Sequence, residues 1–136
     1  MLRVGAMSDP ISNMLTSIRN AVRAERSFVD VPSSRLKIEI ASAFGRQGYV
    51  WNHAIMNEGS FPFVRLTLKY GPSGEKVIQT IDRVSRPGRR VYVGCDDIPV
   101  VLQGLGECFL STSKGILSGS EAKNARVGGE VLCVIW

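Results

Sequence analysis

Apolar residues at helical spacing follow Asp9-Pro10 and predict the first element of this chain. They are Ile11, Met14, Leu15, Ile18 and Val22. This three- and four-residue periodicity predicts a helix over about residues 10–24, with Asp9 as N-cap and Pro10 at the first helical position. A second apolar stripe predicts another helix that starts after Ser33-Ser34 and ends near Gly48; its members are Leu36, Ile40, Ala43 and Phe44.

Other apolar runs predict strands. The clearest is Phe63 to Tyr70, where apolar and polar residues alternate as in a half-buried antiparallel strand. Further strands are expected over residues 28–31, from residue 49 onward, and over 77–84, 89–93, 108–110 and 131–136. Short helices are expected from Asp96 to about Gln103 and at Ser118, which forms the spacing of a capping box with Glu121.

The strongest turn signal, Gly71-Pro72-Ser73-Gly74, divides these elements into two groups. The mixture of helices and antiparallel strands predicts an α+β fold of two small subdomains. The N-terminal subdomain, residues 7–70, has the order α-β-α-β-β. The C-terminal subdomain, residues 77–136, is mostly antiparallel β with short helices, and residues 71–76 form the linker turn. Residues 1–6 are expected to be an unstructured extension, which leaves Met7 as an alternative start.

The net charge of the chain limits the classes of partner that it is expected to bind. Seventeen Lys and Arg against twelve Asp and Glu give a net charge of +5 and an isoelectric point near 9.4, which favours an anionic partner such as nucleic acid or a membrane surface. No apolar run approaches the roughly 20 residues of a membrane span. Three scattered cysteines and a single histidine match no metal-binding spacing, so reduced thiols and no metal or cofactor are expected.

Groups that could bind a ligand are most concentrated in the segment Ser111-Thr112-Ser113-Lys114-Gly115. This segment is expected to be a loop between an apolar strand and a short helix. Its hydroxyls, its cation and its glycine suit a sugar-phosphate surface. The same residues match the S-x-x-K motif of penicillin-recognising enzymes, so a small hydrolase that uses Ser111 and Lys114 is a remote alternative. The accompanying S-D-N and K-T-G elements are absent from the sequence, and no base for a nucleophile is visible, so an enzyme is not expected.

Two other basic segments fit an RNA partner. Four arginines, at positions 83, 86, 89 and 90, fall within eight residues and precede Tyr92. Arginines this close together repel one another unless an anion lies between them, so the cluster favours contact with phosphate. For Tyr92, stacking on RNA and burial in the protein core are equally compatible with the sequence. Arg35 and Lys37 lie in the first turn of the second helix, where the helix dipole disfavours cations. With Ser33 they either face a phosphate or are simply solvated.

An ordered set of motifs resembles bacterial ribosomal protein number eight of the small subunit. The resemblance covers the chain from about Met7 and is strongest at Ser111 to Gly115 and at Gly128-Gly129-Glu130. The other matching segments are 9–11, 13–16, 18–20, 31–34, 68–70, 83–88 and 104–106. Two departures stand out: Glu107-Cys108 replaces a usually small apolar pair, and Gly119 stands where an acid is common.

The resemblance implies a non-catalytic protein of the small ribosomal subunit. Such proteins bind the central domain of 16S ribosomal RNA early in assembly, next to other small-subunit proteins, and recognise an irregular helix with an internal loop. It also leaves open a translational repressor that binds the messenger RNA of its own operon. We expect the protein in a cytoplasmic ribosome, with an organellar ribosome as the alternative. The expected RNA-binding residues are Ser111, Thr112, Ser113, Lys114, Tyr92, Arg86, Arg89, Gly129, Glu130, Ser33, Arg35, Lys37 and Asp9.

Overall fold

The computed structural model describes residues 9–59 and 61–136, and it is an α+β fold. The expected extension at residues 1–6, the alternative start at Met7 and the first two residues of the predicted N-terminal subdomain lie outside the described residues. Helix α1 spans Pro10–Arg23 and buries the predicted apolar stripe together with Ala21. Helix α2 spans Arg35–Arg46 and begins at Ser34, whose hydroxyl accepts a hydrogen bond from the Lys37 amide at 3.2 Å.

One member of the apolar stripe of α2 is not buried. Ile40, Ala43 and Phe44 are buried as expected, but Leu36 is 38% exposed. Leu36 lies in the first turn, ahead of the part of the helix that covers the sheet, so helical periodicity alone could not distinguish it from its buried neighbours.

The two helices pack against a three-stranded antiparallel sheet of strand order β1-β3-β2. Its strands are β1 (Phe28–Pro32), β2 (Val50–Met56) and β3 (Phe63–Leu68). The predicted alternation of the central strand is confirmed, since Val64, Leu66 and Leu68 are buried and the intervening residues are partly exposed.

The rest of the chain forms a second antiparallel sheet around the C-terminal strand. Its strands are β4 (Ile81–Arg83), β5 (Tyr92–Val93), β6 (Glu107–Thr112), β7 (Gly115–Ser118) and β8 (Gly129–Ile135). The order is β4-β8-β6-β7, and β5 also pairs with β8. Helix α3 (Gly119–Ala125) begins with the predicted capping box, in which the Glu121 amide donates to the Ser118 hydroxyl at 3.1 Å.

The structure corrects three of the predicted elements in this half. The strand expected over 77–84 is only Ile81–Arg83, because the amides of Gln79 and Thr80 both donate to the Trp136 carbonyl, where the chain bends into the sheet. The strand expected over 89–93 is only Tyr92–Val93, because Arg89 belongs to a tight turn. The helix expected over 96–103 is two separate short turns, because Pro99 has no amide hydrogen to donate within a continuous helix. Cys95–Asp97 is a 3₁₀ turn, whereas in Val101–Gly104 the residues Leu102 and Gln103 have left-handed backbone angles, with φ 45° and 55°.

A fourth prediction is wrong in a way that matters for the candidate site. The segment 111–115 is the tip of a β-hairpin, and the strand β7 separates it from the helix that was expected to follow directly. Strand β7 is only four residues long, and its alternation of buried and partly exposed residues was too brief to be recognised in the sequence.

The predicted turn at Gly71 to Gly74 is present, since the Gly74 amide donates to the Gly71 carbonyl at 2.9 Å and Tyr70 pairs with Lys76 across it. The main buried cluster nevertheless draws on both sides of this turn. Phe44 and Phe109, one from each side, meet edge to face with ring centroids 4.8 Å apart. The division into subdomains at residues 71–76 stays a prediction, and the two parts share a core.

A smaller cluster lies between the C-terminal sheet and α3. Its buried members are Ile98, Cys108, Leu110, Ala122 and Val131. Cys108 and Leu110 belong to this cluster while Phe109, between them on β6, belongs to the main one, so strand β6 is buried on both faces. It therefore forms a rigid base for the hairpin at its end.

We expect one of the three thiols to react in the native protein and all three to react after unfolding. Burial raises the pKa of the Cys108 thiol to about 11 and that of Cys133 to about 12, whereas Cys95 is partly exposed. A colorimetric thiol assay at pH 8, with and without denaturant, counts them. Cys95→Ser should abolish the fast native reaction, and rapid labelling of two thiols in the native protein would contradict the described packing.

Candidate RNA-binding surface

The hydroxyl-rich segment is presented by a hairpin whose turn is fixed from within. The Thr112 hydroxyl accepts a hydrogen bond from the Lys114 amide at 3.0 Å and donates one to the Gly115 carbonyl at 2.8 Å. Gly115 has φ +100°, a conformation that glycine adopts without strain. The Thr112 hydroxyl is thus used in shaping the turn, and the side chains at the tip, Ser113 and Lys114, are exposed.

Strand pairing brings Tyr92 and Ser111 into one row, although they are distant in sequence. Glu130 lies opposite Tyr92 on one side and opposite Ser111 on the other. Directly opposed residues of antiparallel strands project from the same face of a sheet, so the three side chains share a face. Tyr92 is 68% exposed, which settles that it is a surface residue and leaves its ring free to stack on a partner.

Gly129 occupies the next row, between Val93 and Thr112. A Cβ atom built there would overlap the Ser111 carbonyl, and one at Gly128 would overlap the Val93 carbonyl. The two glycines therefore permit a backbone approach that no side chain would allow. This explains why the motif Gly128-Gly129-Glu130 accompanies the hydroxyl-rich hairpin.

Glu130 is held by groups of the protein itself. Its carboxylate accepts hydrogen bonds from the Ser85 hydroxyl and from the Arg90 guanidinium, the latter at 2.9 Å. Burial opposes ionisation of Glu130, but these donors outweigh it and lower the pKa of the carboxyl below its usual value. Ser85 is fully buried and also accepts from the Val91 amide at 3.1 Å, so it ties β8 to the segment that carries Tyr92.

The argument from repulsion among four arginines is corrected by the structure, because two of them have carboxylate partners. Arg90 pairs with Glu130. Arg83 is buried, with its Nε 3.0 Å from Asp9 Oδ2 and its Nη1 2.7 Å from the Leu132 carbonyl oxygen. Arg86 and Arg89 flank a two-residue turn closed by reciprocal backbone hydrogen bonds of 2.9 and 3.0 Å, and both are exposed. Only these two of the four remain free of an ion pair in the described chain.

Asp9 serves the fold through its carboxylate. It is the N-cap residue of α1, but its side chain makes no capping hydrogen bond and accepts instead from Arg83 and from the Ser12 hydroxyl, the latter at 2.6 Å. Burial opposes its ionisation, and these hydrogen bonds together lower the pKa of Asp9. Its role as an RNA-binding residue stays a prediction, and its visible partners lie within the protein.

Glu39 of α2 lies beside the hairpin. The side chain of Arg35 is 96% exposed, with its Nε 3.7 Å from Glu39 Oε2, and a Cβ atom at Gly115 would lie 3.4 Å from the other carboxylate oxygen of Glu39. Lys37 is partly exposed, and Ser33 donates its amide to the Pro62 carbonyl at 3.2 Å. The cations of α2 and the hairpin tip therefore belong to neighbouring surfaces, with the Glu39 carboxylate between them.

Arg46 joins α2 to the base of the hairpin, a connection that the sequence did not reveal. Its guanidinium donates to both carboxylate oxygens of Glu121, at 2.9 and 3.2 Å, and to the Ile116 carbonyl at 2.9 Å. The hydrogen bond from Arg46 is the largest cause of a lowered pKa at Glu121, and a bond from the Ser118 amide adds to it against the effect of burial. The only sequence signal near this ion pair was the capping box of Ser118 and Glu121.

We expect Glu121→Gln to cost about 1 to 2 kcal/mol of stability at neutral pH and to weaken the acid dependence of unfolding. The carboxylate with a lowered pKa contributes its full stability above the unfolded value, about 4.3, and loses it as pH falls through the lower folded value. Denaturant titrations between pH 7 and 3 measure this, with exposed Glu58→Gln as the charge-matched control. Identical pH profiles for wild type and Glu121→Gln would contradict the ion pair.

Gly119 lies against Glu107 and Cys108. A Cβ atom at Gly119 would lie 2.8 Å from Cys108 Sγ and 2.9 Å from Glu107 Oε1. The larger side chains at 107 and 108 occupy the space that a side chain at 119 would need.

Catalytic and metal chemistry find no support in the described part of the chain. Ser111 and Lys114 make no hydrogen bond to each other there, and Lys114 Nζ has no acceptor that would orient it as a base. No group of three or more His, Cys, Asp and Glu within residues 9–59 and 61–136 could hold a metal ion. None of the helices described has both the length and the apolar character needed to cross a membrane.

The fold and this surface are those of a small α+β protein that exposes hydroxyl groups, cationic side chains and an aromatic ring on one surface. Residues 9–136 match the family model described as Ribosomal protein S8, and the chain belongs to that family. It is 50% identical over 131 residues to "Small ribosomal subunit protein uS8" of Rhodopirellula baltica, covering 95% of this chain and 98% of the relative. The protein of the same name from Rubrobacter xylanophilus is 50% identical, with 96% and 99% covered, and that from Thermodesulfovibrio yellowstonii is 45% identical.

Proposed function

We propose that this chain is a structural protein of the small ribosomal subunit that binds the central domain of 16S ribosomal RNA directly and supports assembly of the subunit. Its partners would be that RNA and neighbouring small-subunit proteins. The observation that carries the proposal is the row of Tyr92, Glu130 and Ser111, which stands beside the exposed hairpin tip. Family membership supplies the particle in which such a surface would act.

The geometry suits an irregular RNA better than a plain duplex. The ring of Tyr92 can stack only on a base that is splayed out, and such bases occur in internal loops. Ser111 and Ser113 offer hydroxyls that donate to phosphates or accept from ribose 2′-hydroxyls, while Lys114 and Arg89 add charge. A fixed Glu130 carboxylate accepts only, so it favours base amino groups or 2′-hydroxyls and repels misplaced phosphates.

We expect salt-sensitive binding to a helical RNA with an internal loop and weaker binding to a perfect duplex of equal length. Release of counterions should make log K fall with log salt by about 0.7 to 0.9 per phosphate neutralised. Filter binding at several salt concentrations measures both. Equal affinity for the two RNAs would overturn shape recognition, and absence of binding to the complete central domain would overturn the proposed function. Competition with the messenger RNA of its operon tests the repressor alternative at the same surface.

Single changes should separate stacking from charge. Tyr92→Ala should weaken binding by about 1 to 3 kcal/mol, whereas Tyr92→Phe should retain most of the affinity because it keeps the ring. Lys114→Ala should lower the salt slope by about 1, and Lys123→Ala, at an exposed lysine of α3, is its matched control. Thermal melts confirm folding of each variant. An unchanged slope for Lys114→Ala, or normal binding by Tyr92→Ala, would remove that residue from the site.

A further inference from the structure

Arg46, the last residue of α2, connects its helix to two elements that follow the hairpin tip in the chain. Its guanidinium donates to both carboxylate oxygens of Glu121 in α3, at 2.9 and 3.2 Å, and to the carbonyl of Ile116 in β7, at 2.9 Å. A further hydrogen bond of 3.1 Å to the Ser42 hydroxyl ties the guanidinium to its own helix. Because a guanidinium is planar and presents its donors as a rigid fork, these contacts together fix the spacing of α2, β7 and α3.

The two strands of the hairpin are held unequally. Strand β6 pairs with β8 as far as Thr112 and is buried on both faces. Strand β7 is the last strand of the described sheet and pairs with β6 alone, although the Ile116 side chain is buried in the main cluster. A cleft lies between β7 and α2, and its lining includes Glu39, Arg46 and Lys114. The position of β7 therefore depends on the hydrogen bonds that Arg46 makes across this cleft.

The exposed tip of the hairpin moves with β7. Ser113 and Lys114 stand directly before Gly115, the first residue of β7. The hydrogen bonds of the Thr112 hydroxyl to the Lys114 amide and the Gly115 carbonyl close the turn from within, so tip and strand form one unit. A hydrogen bond of about 2.9 Å is lost by about 3.6 Å, so a shift of about 0.7 Å in β7 is enough to break a contact of the tip with a partner.

We propose that Arg46 is a positioning residue for RNA binding, which sets where the hairpin tip presents Ser113 and Lys114 and does not touch the RNA itself. This inference rests on the proposed function. The competing role for Arg46 is a direct phosphate contact, since its side chain is 41% exposed. The geometry favours positioning, because Nε and both terminal nitrogens already donate to acceptors of the protein.

Glu121→Gln separates the two roles, because they predict opposite signs. Glutamine can replace glutamate in a capping box, so the main loss is the negative charge that pairs with Arg46. If Arg46 contacted a phosphate directly, removing this competing carboxylate would strengthen RNA binding. A positioning role requires the ion pair, so Glu121→Gln should weaken binding by about 3-fold and Arg46→Met by about 5- to 10-fold.

The affinities are measured by filter binding to a short internal-loop helix from the central domain of 16S RNA, at one salt concentration and at a temperature where thermal melts show every variant folded. Val22→Ala is the matched stability control, because Val22 is buried on α1 and its truncation lowers the melting temperature away from the hairpin. Its RNA affinity should equal that of wild type. In nuclear magnetic resonance spectra of the free protein, the Ser113 and Lys114 amide signals should shift in Arg46→Met and stay unchanged in Val22→Ala.

A double-mutant cycle tests whether Arg46 acts through the tip. In a protein that carries Ser113→Ala and Lys114→Ala, the contacts that Arg46 positions are already gone. Adding Arg46→Met to that protein should therefore weaken RNA binding by less than about 2-fold, against about 5- to 10-fold in the wild-type background.

Three results would overturn the positioning role. They are unchanged or stronger RNA binding by Glu121→Gln, an undiminished effect of Arg46→Met in the protein without the tip side chains, and an affinity loss for Val22→Ala equal to that of Arg46→Met. The last would show that binding follows stability in general. Failure of wild type to bind the RNA would instead overturn the proposed function on which this inference rests.

Discussion

Phe109→Ala is expected to lower the free energy of unfolding by about 3 to 5 kcal/mol and to leave a single unfolding transition. Phe109 is fully buried on β6 and packs edge to face against Phe44 from the other half of the chain, so its removal leaves a cavity in a core that both halves share. Denaturant titration followed by circular dichroism and by tryptophan fluorescence measures the loss and shows whether the probes coincide.

Phe61→Ala provides the matched control, because Phe61 is 80% exposed and its truncation should change stability by about 0.5 kcal/mol or less. Two separate transitions in wild type, or in Phe109→Ala, would show that the halves unfold independently. A loss below about 1 kcal/mol for Phe109→Ala would show that the packing around this ring is looser than the structure describes.

Arg83→Met should also cost about 3 to 5 kcal/mol, because it leaves the Asp9 carboxylate without its counterion in a largely buried place. The side chain of Arg83 is 4% exposed and that of Asp9 is 15% exposed. Removing Arg83 also removes one of the two hydrogen bonds to the Leu132 carbonyl, which then keeps only that from the Val84 amide at 2.9 Å. Urea denaturation at pH 7 measures the difference from wild type.

The double variant Asp9→Asn with Arg83→Met distinguishes an ion pair from general packing. If the two residues act as a pair, the double variant should be less destabilised than the two single variants added together. Arg86→Met, at an exposed arginine three residues away, should change stability by about 0.5 kcal/mol or less and serves as the control. Additive effects at positions 9 and 83 would show that the pair contributes no coupling.

Local sequence patterns were sufficient to predict the longer helices and the central strand of the first sheet. Period-three-and-four spacing located α1 and α2, strict alternation located β3, and the capping box located α3, because each of these signals lies within a few neighbouring residues. The ordered family motifs likewise identified a chain that belongs to the ribosomal protein S8 family. The elements that were mispredicted are β4, β5, β7 and the two short turns at Cys95–Asp97 and Val101–Gly104. All are four residues long or shorter and form through pairing or proline effects rather than through periodicity.

The sequence by itself determined which residue types were available to the candidate surface, namely the hydroxyls, Tyr92, Glu130 and the arginines. Only the tertiary structure decided how they are used, because ion pairing depends on partners far away in the chain. Asp9 lies 74 positions before Arg83, and Glu130 lies 40 positions after Arg90. The pairing of β8 with β5 and β6 placed Tyr92 and Ser111 in one row, and it left Arg86 and Arg89 as the two arginines of the cluster without carboxylate partners in the described chain. Such long-range pairings carry no local periodicity from which a sequence could reveal them.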